Sequence, residues 1–182
     1  MPQHVVLLRG INLGSRNRIA MSELRACLEK AGFKEVATYL QSGNVLLSSG
    51  YGPDRVGTKV NALIKQRFGI DVAVLVRSRA ELAEVVHRNP LAGVAVDPKR
   101  YLVTFLSGIL PSGYADGLGS VTAPREPFAV IGREVYSWHP DGVGRSPLWE
   151  RLAAKTAGIT ATSRNWSTVT SLLAMADAAT SR

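Results

Sequence analysis

The chain has 182 residues, 46% hydrophobic and 20% charged, and a formal net charge of +8. That balance excludes a disordered chain, and no apolar run approaches the roughly 18–20 residues of a membrane-spanning helix. A lone Cys27 excludes an intrachain disulfide; the start Met1-Pro2-Gln3-His4-Val5 lacks the charged segment and cleavage site of a signal peptide, so a cytoplasmic protein is expected.

In chain order, residues 5–8 are continuously apolar and predict a buried strand. A loop follows to about Met21, containing Arg9-Gly10-Ile11-Asn12-Leu13-Gly14, then Arg16, Asn17 and Arg18, with no acid before Glu23. Ser22 is a plausible cap for a helix with Leu24, Cys27, Leu28 and Ala31 on one face, stopped by Gly32 and Phe33. Residues 36–40 and 45–47 predict strands two and three, a hairpin turning at Ser42-Gly43. Asp54 is expected to cap a second helix carrying Val56, Val60, Leu63 and Ile64, which Gly69 ends before strand four at 72–76.

The order β-α-β-β-α-β is the split βαβ of ferredoxin-like folds. Its sheet order is 4-1-3-2, with right-handed crossovers. Strands one and three are then neighbours, and the loop at 10–18 meets the turn at 41–44 at one sheet edge. Strands one, three and four are apolar on both faces, so the face away from the helices should be buried by the rest of the chain.

Ser78-Arg79-Ala80-Glu81 is a capping box opening a short helix with Leu82, Val85 and Val86 inward. The stretch from Asn89-Pro90 to Asp97-Pro98 reads as a linker, giving two expected domains, 1–88 and 89–182. The second begins with a strand at 101–106 and a short helix or loop near 112–118. Strands follow at 128–131 and 135–138, joined through Gly132-Arg133 in a II′ turn. Ser146-Pro147 starts a helix that Gly158 stops, and a last helix runs from Asn165 with Trp166, Val169, Leu172, Leu173 and Ala176 on one face. This half reads β-α-β-β-α, an echo of the first without its last strand and without a convincing residue-level repeat. The expected fold is α+β: a ferredoxin-like βαββαβ half packed against a second, related α+β half with a C-terminal helix.

Several chemistries are excluded by spacing. Gly10 to Gly14 lacks the G-x-G-x-x-G of a dinucleotide fingerprint, and the following helix starts too late to receive a pyrophosphate. No Walker loop and no G-x-S-x-G elbow is present. His4, His87 and His139 have no ligand partner at metal spacing, and no cofactor is indicated. Strands one and three carry no aromatic residue for RNA stacking on the sheet face. Cys27 and Trp166 read as core, and His139 as the end of an aromatic strand.

Arg9 ends an apolar strand and is either paired structurally or a bidentate anion clamp. Ser42 and Asn44 are turn formers or ligand contacts. The candidate ligand-binding set is Arg9, Gly10, Asn12, Gly14, Asn17, Gln41, Ser42, Gly43 and Asn44. The directional hydrogen bonds would come from its Asn and Ser side chains, and the charge from Arg9, Arg16 or Arg18.

The sequence resembles the bacterial family grouped as domain of unknown function 1697. The matching pieces are Leu7 to Gly14, Asn17, Met21, Thr38 to Val45, Val135-Tyr136 and Thr162 to Val169; Ser146-Pro147-Leu148 has Pro where the family has Lys. The resemblance implies two ferredoxin-like α+β halves and no established activity. It adds Arg164 and Asn165 to the candidate site, on the expectation that the final helix docks beside Arg9, Asn12 and Asn44. Three readings follow: binding of a small polar or anionic ligand, with or without chemistry; nucleic-acid binding through a basic surface; and a structural or partner-interaction role with no ligand. No membrane partner is expected.

Overall fold

The computed structural model describes residues 1–120, 125–154 and 158–180. The chain forms two compact units, Met1–Glu84 with Ser171–Arg182, and Val85–Thr170. This grouping places the last turns of the final helix with the first unit, unlike a simple partition at residue 88.

The first unit runs β1 (Gln3–Leu8), α1 (Met21–Lys30), β2 (Lys34–Tyr39), β3 (Asn44–Ser48), α2 (Pro53–Phe68) and β4 (Val74–Ser78). All pairings are antiparallel in the order β2-β3-β1-β4, the order expected for a ferredoxin-like sheet. Val6, Leu8, Val45, Leu47 and Val76 form one sheet face, closed by Leu24 and Leu28 of α1 and Val56, Val60 and Ile64 of α2. The opposite face is buried too, with Val5, Leu7, Leu46 and Leu75 at most 4% exposed.

Local chemistry explains where these elements begin and end. After α1, the Phe33 N–H donates to the Leu28 carbonyl (3.2 Å) and the Gly32 N–H to that of Glu29 (3.0 Å), the paired bonds of a Schellman stop. Gly32 takes the left-handed conformation that this stop requires, and Phe33 and Leu28 share the core. Two expected caps are corrected. Helix α1 starts two residues earlier than a Ser22 cap implies, with Ala20 at the cap position. Gly52 rather than Asp54 caps α2, because Pro53 occupies the first helical position, where its fixed φ suits the helix. Strand β4 begins at Val74, not at residue 72. The capping box is present: the Ser78 N–H donates to Glu81 Oε2 (2.7 Å) and the Glu81 N–H to Ser78 Oγ (3.2 Å), opening α3 (Arg79–Arg88).

The second unit continues with β5 (Tyr101–Leu106), α4 (Tyr114–Gly119), β6 (Phe128–Ile131), β7 (Glu134–Trp138), α5 (Pro147–Ala153), β8 (Ala161–Asn165) and the start of α6 (Trp166–Thr180). Helix α5 stops at Ala153, before Gly158. Strand β8 corrects the expected β-α-β-β-α pattern. Its sequence Ala-Thr-Ser-Arg-Asn has no apolar run to announce it, yet Thr162 and Arg164 alternate inward and it completes the order β6-β7-β5-β8. Tyr39 and Arg79 of the first unit bond Ser171 and Asp177 of α6, which places the second half of that helix with the first unit.

With β8 in place, the two sheets share one register. Val5 pairs with Arg77 and Leu8 with Val74; Val103 pairs with Arg164 and Leu106 with Ala161. The Leu8 N–H donates to the Gly43 carbonyl (2.8 Å), and the Leu106 N–H to that of Arg133 (2.9 Å). Arg9 and Ser107 each donate a backbone N–H to the residue just before the last strand, Ala73 and Thr160, both at 2.9 Å. In each half the last strand ends in Arg followed by a capping residue, Ser78 for α3 and Asn165 for α6. Leu8-Arg9-Gly10-Ile11 thus corresponds to Leu106-Ser107-Gly108-Ile109, a residue-level repeat visible once the strands are aligned. Among the described residues, no helix is long and apolar enough to cross a membrane.

Candidate functional site

The loop after β1 is built around the carboxamide of Asn12. Its Nδ2 donates to the carbonyls of Ile19 (3.0 Å) and Gln41 (2.7 Å), and its Oδ1 accepts the Ile19 N–H (2.9 Å). The Asn12 N–H donates to the Asn17 carbonyl (3.0 Å), and Asn17 Nδ2 donates back to the Gly10 carbonyl (3.2 Å). Asn12 and Asn17 both have positive φ, 54° and 49°, a conformation that asparagine tolerates better than most residues.

The facing turn is held by Asn44, which is fully buried and donates through Nδ2 to the Tyr39 carbonyl and Ser42 Oγ, both at 3.0 Å. Gly43, at φ 78°, lies so close to β1 that a Cβ there would fall 2.7 Å from Leu8 Cβ and 2.9 Å from the Ile11 side chain. Topology and these contacts bring Gly10, Asn12, Asn17, Gln41, Gly43 and Asn44 together at one sheet edge. Gly14 forms the loop tip, where its carbonyl accepts from Arg18 at 3.1 Å. Arg9 is half-buried at the mouth, whereas Arg16, Arg18, Gln41 and Ser42 are exposed. Leu13 and Leu40, on the two loops, are 68% and 57% exposed.

Arg164 and Asn165 belong to the second unit, where both are engaged locally. Arg164 is 9% exposed, donates to Thr162 Oγ1 (2.9 Å) and the Ser163 carbonyl (2.8 Å), and burial pushes its pKa down to about 10. Asn165 Oδ1 accepts the Thr168 N–H at 2.9 Å as the cap of α6.

The family whose model matches residues 1–136 is described as Protein of unknown function (DUF1697). The chain belongs to that family. The matched span contains both loops of the site, while Ser146-Pro147-Leu148 and Thr162 to Val169 lie beyond it. None of the curated proteins matches the chain. Among solved structures, the conserved bacterial protein SP0830 from Streptococcus pneumoniae is similar with a TM-score of 0.76 and 19% identity, over 96% of this chain and 98% of the other. That likeness concerns the fold.

The second unit of this family member holds a buried polar network that sequence reasoning missed. His139 Nε2 lies 2.8 Å from Ser137 Oγ, its Nδ1 lies 3.2 Å from Glu126 Oε1, and Ser146 Oγ donates to Glu126 Oε2 at 3.0 Å. The order Ser–His–Glu is that of a nucleophilic relay, but Ser137 and His139 are fully buried, which leaves a substrate no approach. Burial lowers the His139 pKa, opposed by the Glu126 carboxylate, so the ring is neutral, donates from Nδ1 to Glu126 and accepts from Ser137. Ser146 Oγ also accepts the Trp149 N–H at 2.9 Å, so the network holds the first turn of α5. The signals in the sequence were the Ser146 cap and a histidine directly after an apolar strand; the separation of Glu126 from both hid the connection. Among the described residues, no group of three or more His, Cys, Asp or Glu could hold a metal ion.

Proposed function

We propose that the first unit binds a small anionic ligand at the rim of the paired loops. The observation that carries this reading is the bracing by Asn12, which ties loop 10–18 to the turn at 41–44 and leaves Arg16 and Arg18 exposed beside them. The loop itself carries no acid before Glu23. A loop fixed before binding loses little conformational entropy when a ligand arrives. Arg16 and Arg18 supply charge, and the exposed side chains of Gln41 and Ser42 supply directional hydrogen bonds. The reading does not need Arg164 or Asn165. If a reaction follows, it proceeds by positioning and by stabilising negative charge, since the rim holds no group suited to general-base work.

A thermal-shift panel of phosphate, nucleotides and carboxylates tests this. A ligand at 100 times its Kd adds about 2.7 kcal/mol of stability, and the Arg16→Ala/Arg18→Ala variant loses that shift. No shift with any panel member, or an equal shift in the variant, defeats the reading.

A second reading is favoured by the same asparagine. Both ends of the Asn12 carboxamide are consumed by backbone partners, as expected of a brace. If bracing is the whole role, Asn12→Ala and Asn44→Ala destabilise the first unit, and the panel shifts neither variant nor wild type.

A further inference from the structure

A separate cationic cluster lies at the other end of the first sheet. Strand β3 runs antiparallel to β1, with Gln3 opposite Ser48, so the chain leaves β3 at the end remote from the Asn12 loop. There the Ser49 hydroxyl accepts the Tyr51 N–H at 3.1 Å, and Tyr51 is 39% exposed. The Arg55 guanidinium carbon sits 4.2 Å from the centroid of that ring and Lys59 Nζ 4.8 Å from it. Lys34 opens β2 opposite Ser48, at the same end.

Four other cations of this unit have acid partners: Arg25 with Glu29, Lys65 with Asp71, Arg67 with Glu23 and Arg79 with Asp177. Lys34, Arg55 and Lys59 have no such partner among the described residues. Glu35 is engaged by the Ser48 hydroxyl, and Asp54 is the acid beside Arg55 on α2. Like charges one helical turn apart repel, so helix stability alone gives no reason to place Arg55 and Lys59 together. A guanidinium over a ring face spends none of its N–H groups there, and its planar fork remains free to grip a phosphate.

We propose that Tyr51, Arg55 and Lys59, with Lys34 at the same end of the sheet, form a docking surface for single-stranded nucleic acid. The cations meet the backbone phosphates, and Tyr51, 39% exposed, offers an aromatic contact for a base beside them; positive charge with an aromatic side chain is the combination by which single strands are bound without sequence readout. The net charge of +8 favours a polyanion.

The test is fluorescence anisotropy with a labelled single-stranded RNA of about 12 nucleotides at about 50 mM salt and above. Wild type binds with steep salt dependence. The Arg55→Ala/Lys59→Ala variant, with melting unchanged, binds about tenfold more weakly, and its slope of log K against log salt is shallower by roughly 1.4. Tyr51→Leu weakens binding and leaves the slope in place. Arg16→Ala/Arg18→Ala binds as wild type, which separates this surface from the loop rim. The proposal is overturned if wild type does not bind, if the α2 variant matches wild type in affinity and slope, if the rim variant loses binding equally, or if a polyglutamate peptide competes as well as unlabelled RNA.

Discussion

Asn12 and Gln41, on different loops, are joined by a 2.7 Å hydrogen bond from a side-chain amide to a backbone carbonyl. The bond closes the mouth of β1 against the hairpin turn and spends a donor that the sequence suggests for a ligand. Removing it leaves backbone groups of Gln41 and Ile19 short of a partner. Asn12→Ala is expected to cost about 1–3 kcal/mol, read as a lower urea midpoint at unchanged slope. An unchanged midpoint would mean that water replaces the amide without loss.

Gly43 and Gly10 separate two reasons for a glycine. Both have positive φ, 78° and 69°, but only Gly43 has neighbours where a Cβ would go. Gly10→Ala is expected to cost about 1 kcal/mol, the backbone penalty alone. Gly43→Ala adds overpacking against Leu8 and Ile11, a further 1–3 kcal/mol or so. Equal losses in the two variants would show that the close approach carries no energetic weight.

Leu40 has φ 58° and is 57% exposed, so a bulky side chain is held in a left-handed conformation with little burial in return. Leu40→Gly should raise stability by up to about 1 kcal/mol. Any ligand found by the thermal-shift panel then reports whether this leucine serves binding: a stabilised protein with weakened binding assigns it that role, whereas unchanged binding assigns it none.

The His139 network gives a pH dependence of known sign. Burial lowers the pKa of His139 in the folded state from the ordinary 6.5, so below that value the unfolded chain takes up a proton that the folded protein refuses. The contribution is fully present above 6.5 and is lost as pH falls from there through the folded value. Urea midpoints between about pH 7.5 and about pH 5.5, above the ordinary carboxylate range, should fall in wild type and flatten in His139→Gln. Ser146→Ala should cost about 1 kcal/mol at neutral pH, through loss of the α5 cap.

The features legible in the sequence were those written in local code. Gly32-Phe33, Ser78 to Glu81 and Ser146-Pro147 each announced a helix boundary because capping depends on residues a few positions apart. Continuous apolar runs gave β1, β3 and β5. Strand β8 was hidden because a strand pairing beside β5 needs only alternate inward residues, and Arg164 buries its guanidinium where an apolar residue was sought. Asp54 and Ser22 misled as caps because Pro53 and the loop before Met21 set the helix starts. At the candidate site, topology placed the two loops together correctly. The roles of Asn12 and Asn44 were not legible, since their partners are backbone carbonyls, which carry no sequence signature.

The shared register of the two sheets turns the chain into its own control. Where the first unit has Arg9, the second has Ser107; where the first turn opens β3 with buried Asn44, the second opens β7 with buried Glu134. One scaffold therefore presents its β1-side mouth twice, once ending in a cation and an amide, once in a hydroxyl and an acid. Exchanging these pairs, Arg9 with Ser107 and Asn44 with Glu134, would move the charge pattern between two backbones of the same geometry and separate what the loop chemistry contributes from what the fold provides.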